Sequence, residues 1–153
     1  MRYILLDRIT SLKPPELATG VKCVSLSDDF FVDHFPGIPV MPGALILEGM
    51  SQLGGTLLEA ILREQGRPEM SALLTMIDRA KFRAPVRPGD RLELEARNLA
   101  VNEDGGRIAG SARVEGKLVA QAEITFAFVK PENRRLLESR REYLNLLLTG
   151  STE

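Results

Sequence analysis

The run from Ala44 to Leu62 is the longest apolar stretch in the chain and constrains everything around it. Its length alone would let it cross a membrane. Glu48, Gln52 and Glu59 interrupt it, however, and Arg63 follows directly. Wound at about 100° per residue, these polar residues and Thr56 fall on one narrow helical stripe. Leu45, Ile46, Leu47, Met50, Leu53, Leu57, Leu58 and Ile61 take the remaining circumference. A helix apolar over most of its surface is the buried centre of a domain. Pro42 suits its first turn, and Gly66 with Pro68 supplies a stop. Gly49, Gly54 and Gly55 lower helix propensity but let a neighbouring backbone come close. One long buried helix is expected here, not a membrane span.

Downstream the period of the apolar residues changes to two. Residues 71–84 read as extended, with Arg79, Lys81 and Arg83 alternating with Ala80, Phe82 and Ala84. Pro85 to Asp90 is turn chemistry. Leu92, Leu94 and Ala96 alternate with Arg91, Glu93, Glu95 and Arg97, as in a strand with one wet face. Asn102 to Gly106 reads as a hairpin loop, Ile108 to Val114 as a strand, and Glu115-Gly116-Lys117 as the next turn. Leu118, Ala120, Ala122, Ile124, Phe126 and Phe128 complete the last strand. Short turns between such strands predict an antiparallel meander. Val21 to Ser27 reads as extended, and the rest of the first 30 residues carries no clear pattern. Residues 131–149 read as helical, with Leu137, Leu144 and Leu148 on one side. The expected class is α+β, a curved antiparallel sheet wrapped around one long central helix. A single domain over 1–130 is expected, with a helical extension and tail over 131–153.

Charge excludes some partners. Twenty Lys plus Arg against 21 Asp plus Glu leave a net charge of −1, so composition calls for neither nucleic acid nor an anionic membrane. The lone Cys23 excludes an intrachain disulfide and a Cys-rich zinc cluster, and it reads as a small buried strand residue without a redox role. The first residues reach Asp7 and Arg8 too soon for a signal-peptide core, so a cytoplasmic location is expected.

One segment does not read as scaffolding. Asp33-His34-Phe35-Pro36-Gly37-Ile38-Pro39-Val40-Met41-Pro42-Gly43 is a stiff loop carrying the only histidine, and it delivers Gly43 to the start of the buried helix. Free N–H groups at a helix start carry partial positive charge, and glycine lets a carbonyl approach them. An imidazole, a carboxylate and a helix amino terminus are together what proton abstraction beside a carbonyl needs. By spacing alone, Glu48 fits a solvated stripe carrying an i,i+4 pair between Glu59 and Arg63 better than it fits a catalytic role.

His34-Phe-Pro-Gly-x-Pro-Val-x-Pro-Gly43, followed by Leu-x-Leu-Glu48-x-Met-x-Gln52, resembles the signature of the (3R)-3-hydroxyacyl-acyl-carrier-protein dehydratases of type II fatty-acid synthesis. The resemblance extends to Arg2-Tyr3, Leu5-Leu6-Asp7-Arg8, Ile77-Asp78-x-Ala80-x-Phe82 and Pro85-Val86-x-Pro88-Gly89-Asp90. It implies the hotdog fold, in a homodimer or trimer of dimers with active sites at the dimer interface. It also implies that His34 takes the C2 proton of the thioester. Glu48, from the other subunit, would handle the departing C3 hydroxyl as water. The Gly43 N–H would polarise the thioester carbonyl, and the Val40 carbonyl would orient the imidazole. A glutamate at position 48 resembles the pure dehydratases, whereas the dehydratase–isomerases carry aspartate. No metal or soluble cofactor is implied, because the substrate arrives on the phosphopantetheine of acyl carrier protein.

Gln52, one turn from Glu48, is expected either to hydrogen-bond it or to cap a subunit contact. Arg79, Lys81 and Arg83, with Arg87 in the following turn, would suit docking of an acidic carrier protein or form a solvated strand face. The chain departs from the family pattern in three places. Asp33 stands where glycine is usual, the amino terminus is shorter, and the extension after Lys130 is additional. Two other functions compete with dehydration. A hotdog acyl thioesterase would need a carboxylate to activate water but no histidine over C2. A non-catalytic acyl-binding subunit would keep the loop as scaffold alone.

Overall fold

Helix α1 spans Gly43–Glu64 in the computed structural model, which describes residues 3–148. Arg2 of the family signature and the tail from residue 149 onward lie outside the described residues. The helix begins at Pro42, which offers no side-chain cap, and the Pro42 carbonyl accepts the N–H groups of Leu45 and Ile46. Its other end closes as a Schellman motif: Arg67 N–H donates to the Leu62 carbonyl and Gly66 N–H to that of Arg63. Gly66 takes φ +75°, which only glycine adopts without strain. Though long and apolar enough to cross a membrane, α1 has 72% of its most apolar window buried inside the fold.

Six antiparallel strands wrap this helix in the order β1-β2-β4-β5-β6-β3. They are β1 (Arg8–Lys13), β2 (Leu17–Cys23), β3 (Ser71–Phe82), β4 (Arg91–Val101), β5 (Gly105–Val114) and β6 (Lys117–Val129). Inward residues of the sheet, including Leu92, Leu94, Ile108, Ala120, Ile124 and Phe126, meet Met50, Leu53, Leu57 and Leu58 of α1 in one core. Glycines set the helix-to-sheet distance: a Cβ at Gly54 would meet Ile108, and one at Gly110 would meet Met50. The β5–β6 turn uses only Glu115 and Gly116, both at positive φ, as a type I′ hairpin requires.

Three sequence expectations need correction. The sheet is not a simple meander, because β3 crosses to the far edge and pairs with β6. Its connection back to β4 passes beneath the start of α1, where Val86 is fully buried and its carbonyl accepts the Met41 N–H. The amino-terminal region is a hairpin, β1 with β2, and β2 ends at Cys23 instead of continuing to Ser27. Beyond it the chain turns, with Ser25 N–H donating to the Asp28 carboxylate. Cys23 is exposed, since it pairs across the ladder with Arg91 on the wet face of β4.

Strand β3 carries two bulges, between Leu74 and Met76 and between Asp78 and Lys81. Ile77 and Phe82 are an odd number of positions apart, so strict alternation would send them to opposite faces. The extra residue at Arg79–Ala80, with Arg79 at φ +52°, turns both toward the helix side, opposite Ile124 and Ala120. Helix α2 (Arg134–Leu148) then lies against the body, with Leu147 buried and Tyr143, Leu144 and Leu148 packed on the core.

Candidate active site

The loop before α1 gives the histidine its orientation. His34 N–H at Nδ1 donates to the Val40 carbonyl at 2.7 Å, and Val40 N–H returns to the His34 carbonyl at 3.0 Å. A carbonyl can only accept, so the ring proton resides on Nδ1 and Nε2 is left as the basic nitrogen. The His34 ring stacks on Phe35, centroids 4.1 Å apart. His34 and Gly43 line one cleft of about 500 Å³, together with Val40, Ala44, Phe82 and Arg83. Gly43 is held against the Phe82 ring so closely that a Cβ there would stand 2.7 Å from Cε1. Its N–H belongs to the first turn of α1, where backbone N–H groups have no intrahelical acceptor and carry partial positive charge.

Glu48 lies farther along α1, half-buried and not among the residues lining the His34 cleft. Five residues separate it from Gly43, which turns it about 140° around the helix. Gln52 fixes its carboxylate. The Gln52 Oε1 accepts the Leu5 N–H at 3.0 Å, which obliges its amide nitrogen to face the other way. That nitrogen donates to Glu48 Oε1 at 3.1 Å and to the Tyr3 carbonyl at 3.0 Å. The first of the two expected roles of Gln52 is thus the one the geometry shows.

The basic residues are partly engaged. Arg79 lies 3.7 Å from Glu123, which Arg107 also meets at 3.6 Å. Arg83, on the rim of the His34 cleft, donates to Gln121 at 3.2 Å. Lys81 and Arg87 are exposed, and neither side chain forms an ion pair among the described residues. Asp33 is exposed.

The far half of the polar stripe differs from expectation. Glu59 does not pair with Arg63 along the helix. It accepts the Ala72 N–H at 3.0 Å and pairs with Arg140 of α2 at 2.7 Å, with its side chain only 15% exposed. Burial pushes the Glu59 pKa up, against the opposing pull of Arg140, the Ala72 N–H and Arg63. The stripe is solvated on paper because the sequence does not reveal that α2 folds back over it. The paired Leu and Arg spacing of residues 137–147 was the only available signal.

A family model for the FabA-like domain matches residues 1–123. The protein named 3-hydroxyacyl-[acyl-carrier-protein] dehydratase FabZ in Campylobacter jejuni strain 81-176 is 46% identical over 126 residues, covering 80% of this chain and 84% of that one. The protein of the same name in Thermomicrobium roseum is 41% identical over 133 residues, covering 87% of each. The chain belongs to the FabZ-type dehydratase family. The FabZ-type chain also shares its hotdog architecture with solved structures of low identity. The dehydratase heterocomplex ApeI:P of Xenorhabdus doucetiae superposes with a TM-score of 0.66 at 15% identity, over 90% of each chain. A thioesterase of Haemophilus influenzae does so with a TM-score of 0.62 at 15% identity, over 82% of this chain and 80% of that one. At such identity these two structures speak to fold alone.

Proposed function

We propose that this chain dehydrates 3-hydroxyacyl thioesters carried on acyl carrier protein, giving trans-2-enoyl thioesters and water. The observation that carries the reading is the His34–Val40 hydrogen bond, which leaves Nε2 as the basic nitrogen of a residue that lines the same cleft as Gly43. The thioester carbonyl accepts from that N–H, which acidifies the C2 proton, and His34 Nε2 takes it. As the C2–H pair forms the new double bond, the C3–O bond breaks. Protonated Glu48 delivers its proton to the leaving hydroxyl, which departs as water. Gln52 occupies Oε1 of Glu48, so Oε2 carries that proton. Transfer of the proton from imidazolium back to carboxylate resets the site. The elimination of water is redox-neutral and both its base and its acid are side chains of the protein, so the chemistry calls for no metal and no redox cofactor.

The site is shared between two copies of the chain in this reading, His34 from one and Glu48 from the other. Strand β3 supports this. It is one of the two edge strands of the sheet, and Leu73, Leu74, Met76, Ile77 and Phe82 along it are exposed. An apolar, unpaired edge of this length invites pairing with another strand. Homodimers, alone or as a trimer of dimers, would cover it. Arg83 at the cleft rim, with Arg79, Lys81 and Arg87, forms the docking face for the acidic carrier. The hotdog domain ends at residue 130, with 131–153 as its extension, and the enzyme works in the cytoplasm.

The test is turnover of a 3-hydroxyacyl thioester beside a saturated acyl thioester, with wild type, His34→Ala and Glu48→Gln. Enoyl product from wild type, reduced by about 10²–10⁴-fold in each variant, is expected. Release of free thiol from the saturated substrate would mark a thioesterase instead. No product from either substrate would mark a non-catalytic acyl-binding subunit.

A further inference from the structure

The far half of the α1 polar stripe opens onto a second space, apart from the His34 cleft, whose lining includes Gln52, the partner of Glu48. It is a half-open cavity of about 370 Å³ between α1 and α2, within the size range of small-molecule sites. Its lining is divided in character. Ile4, Met70, Leu144 and Leu147 give it an apolar wall. Three guanidinium groups, of Arg63, Arg140 and Arg141, stand against the single carboxylate of Glu59. Arg140 is already engaged with Glu59, whereas Arg63 and Arg141 form no ion pair among the described residues. Tyr143 also lines the cavity, while its hydroxyl is buried and meets no hydrogen-bond partner among the described residues.

We propose that this cavity binds a medium-chain carboxylate, its tail on the apolar wall and its head group toward Arg63 and Arg141. A carboxylate matches the excess of guanidinium over carboxylate in this lining, where Arg63 and Arg141 meet no acidic partner at ion-pair distance among the described residues. Neither an inorganic anion nor a neutral alkane satisfies both halves of the lining. The proposal concerns binding and meets the residues of the dehydration reading at Gln52, which lines the cavity.

The chain has two tyrosines and no tryptophan, and both Tyr3 and Tyr143 line this cavity. Intrinsic tyrosine emission of the full-length protein therefore reports on its occupancy. Titration with octanoate should give a saturable change, octan-1-ol should bind about tenfold or more weakly, and acetate should give no change. Replacing Arg63 and Arg141 together by Ala should weaken octanoate about tenfold, to the level of octan-1-ol. Leu144→Phe, which fills the apolar end, should abolish binding while the thermal melt stays cooperative. If that variant does not fold, the arginine pair decides the matter alone. Equal affinity for octanoate and octan-1-ol would overturn head-group recognition. Octanoate binding that ignores the arginine substitutions, or no saturable binding at all, would overturn the site.

Discussion

His34 owes its tautomer to one carbonyl. With Nδ1 bound to Val40 O at 2.7 Å, the tautomer is set before any substrate arrives, and the stiff proline-rich loop keeps it so. Glu48 is fixed in the same manner by Gln52, whose amide orientation is in turn dictated by Leu5. Glu59 presents the opposite case, a carboxylate buried at some cost. Its folded pKa is raised above the ordinary 4.5, mainly by burial. The folded chain therefore holds that proton more tightly than the unfolded chain does. Its contribution to stability is fully present below the unfolded value and is lost as pH rises through the folded one. Arg140 stays charged throughout, so its loss of a partner in Glu59→Gln adds only a constant offset. The unfolding free energy of wild type minus that of Glu59→Gln should thus fall as pH rises from below 4.5, then level off. Urea melts across that pH series measure it, and a difference that climbs with pH would mean that Arg140 outweighs burial. The His34–Gly43 loop was legible because its chemistry is local in sequence. The environment of Glu59 was not, because it depends on a helix arriving from about eighty positions downstream.

At the level of elements, α1 depends on two adjacent glycines that do different things. A Cβ at Gly54 would stand 2.8 Å from Cγ1 of Ile108, which is fully buried and cannot withdraw. A Cβ at Gly55 would meet only Phe126 Cε1 at 3.6 Å, an ordinary contact. Alanine at either position gains about 1 kcal/mol of helix propensity. At Gly54 overpacking of about 1–3 kcal/mol outweighs that gain, so Gly54→Ala should lower the urea midpoint. Gly55→Ala should raise stability by about 0.5–1 kcal/mol. Movement of both midpoints in the same direction would show that the Ile108 contact does not set the helix-to-sheet distance. The helix itself was readable from its apolar circumference and its stop signal. Strand β3 was readable as extended but not in its facing, because a bulge leaves no mark in an alternating pattern. The strand order was hidden for a related reason: pairing of β3 with β6 is decided by the buried path of Val86 under α1, not by turn length.

The whole molecule raises the question of how one fold can hold two groups that it does not bring together. His34 and Gly43 share a cleft that Glu48 does not line, and the apolar edge of β3 is exposed beside it. A two-fold pair of chains would resolve both features at once, completing each site with the carboxylate of the other copy. In that arrangement His34→Ala spoils both sites of its own homodimer, and so does Glu48→Gln. Co-folding equal amounts of the two variant chains should make about half of the dimers mixed. In every mixed dimer one site collects both substitutions and the other collects neither. Activity should therefore return to about a quarter of wild type, given random pairing and independent sites. Mass analysis of the intact assembly must first establish that mixed dimers are present. If they are present and inactive, both residues of each working site come from a single chain and the shared-site arrangement is wrong. Activity at the expected quarter would place the histidine and the glutamate on opposite sides of a subunit boundary.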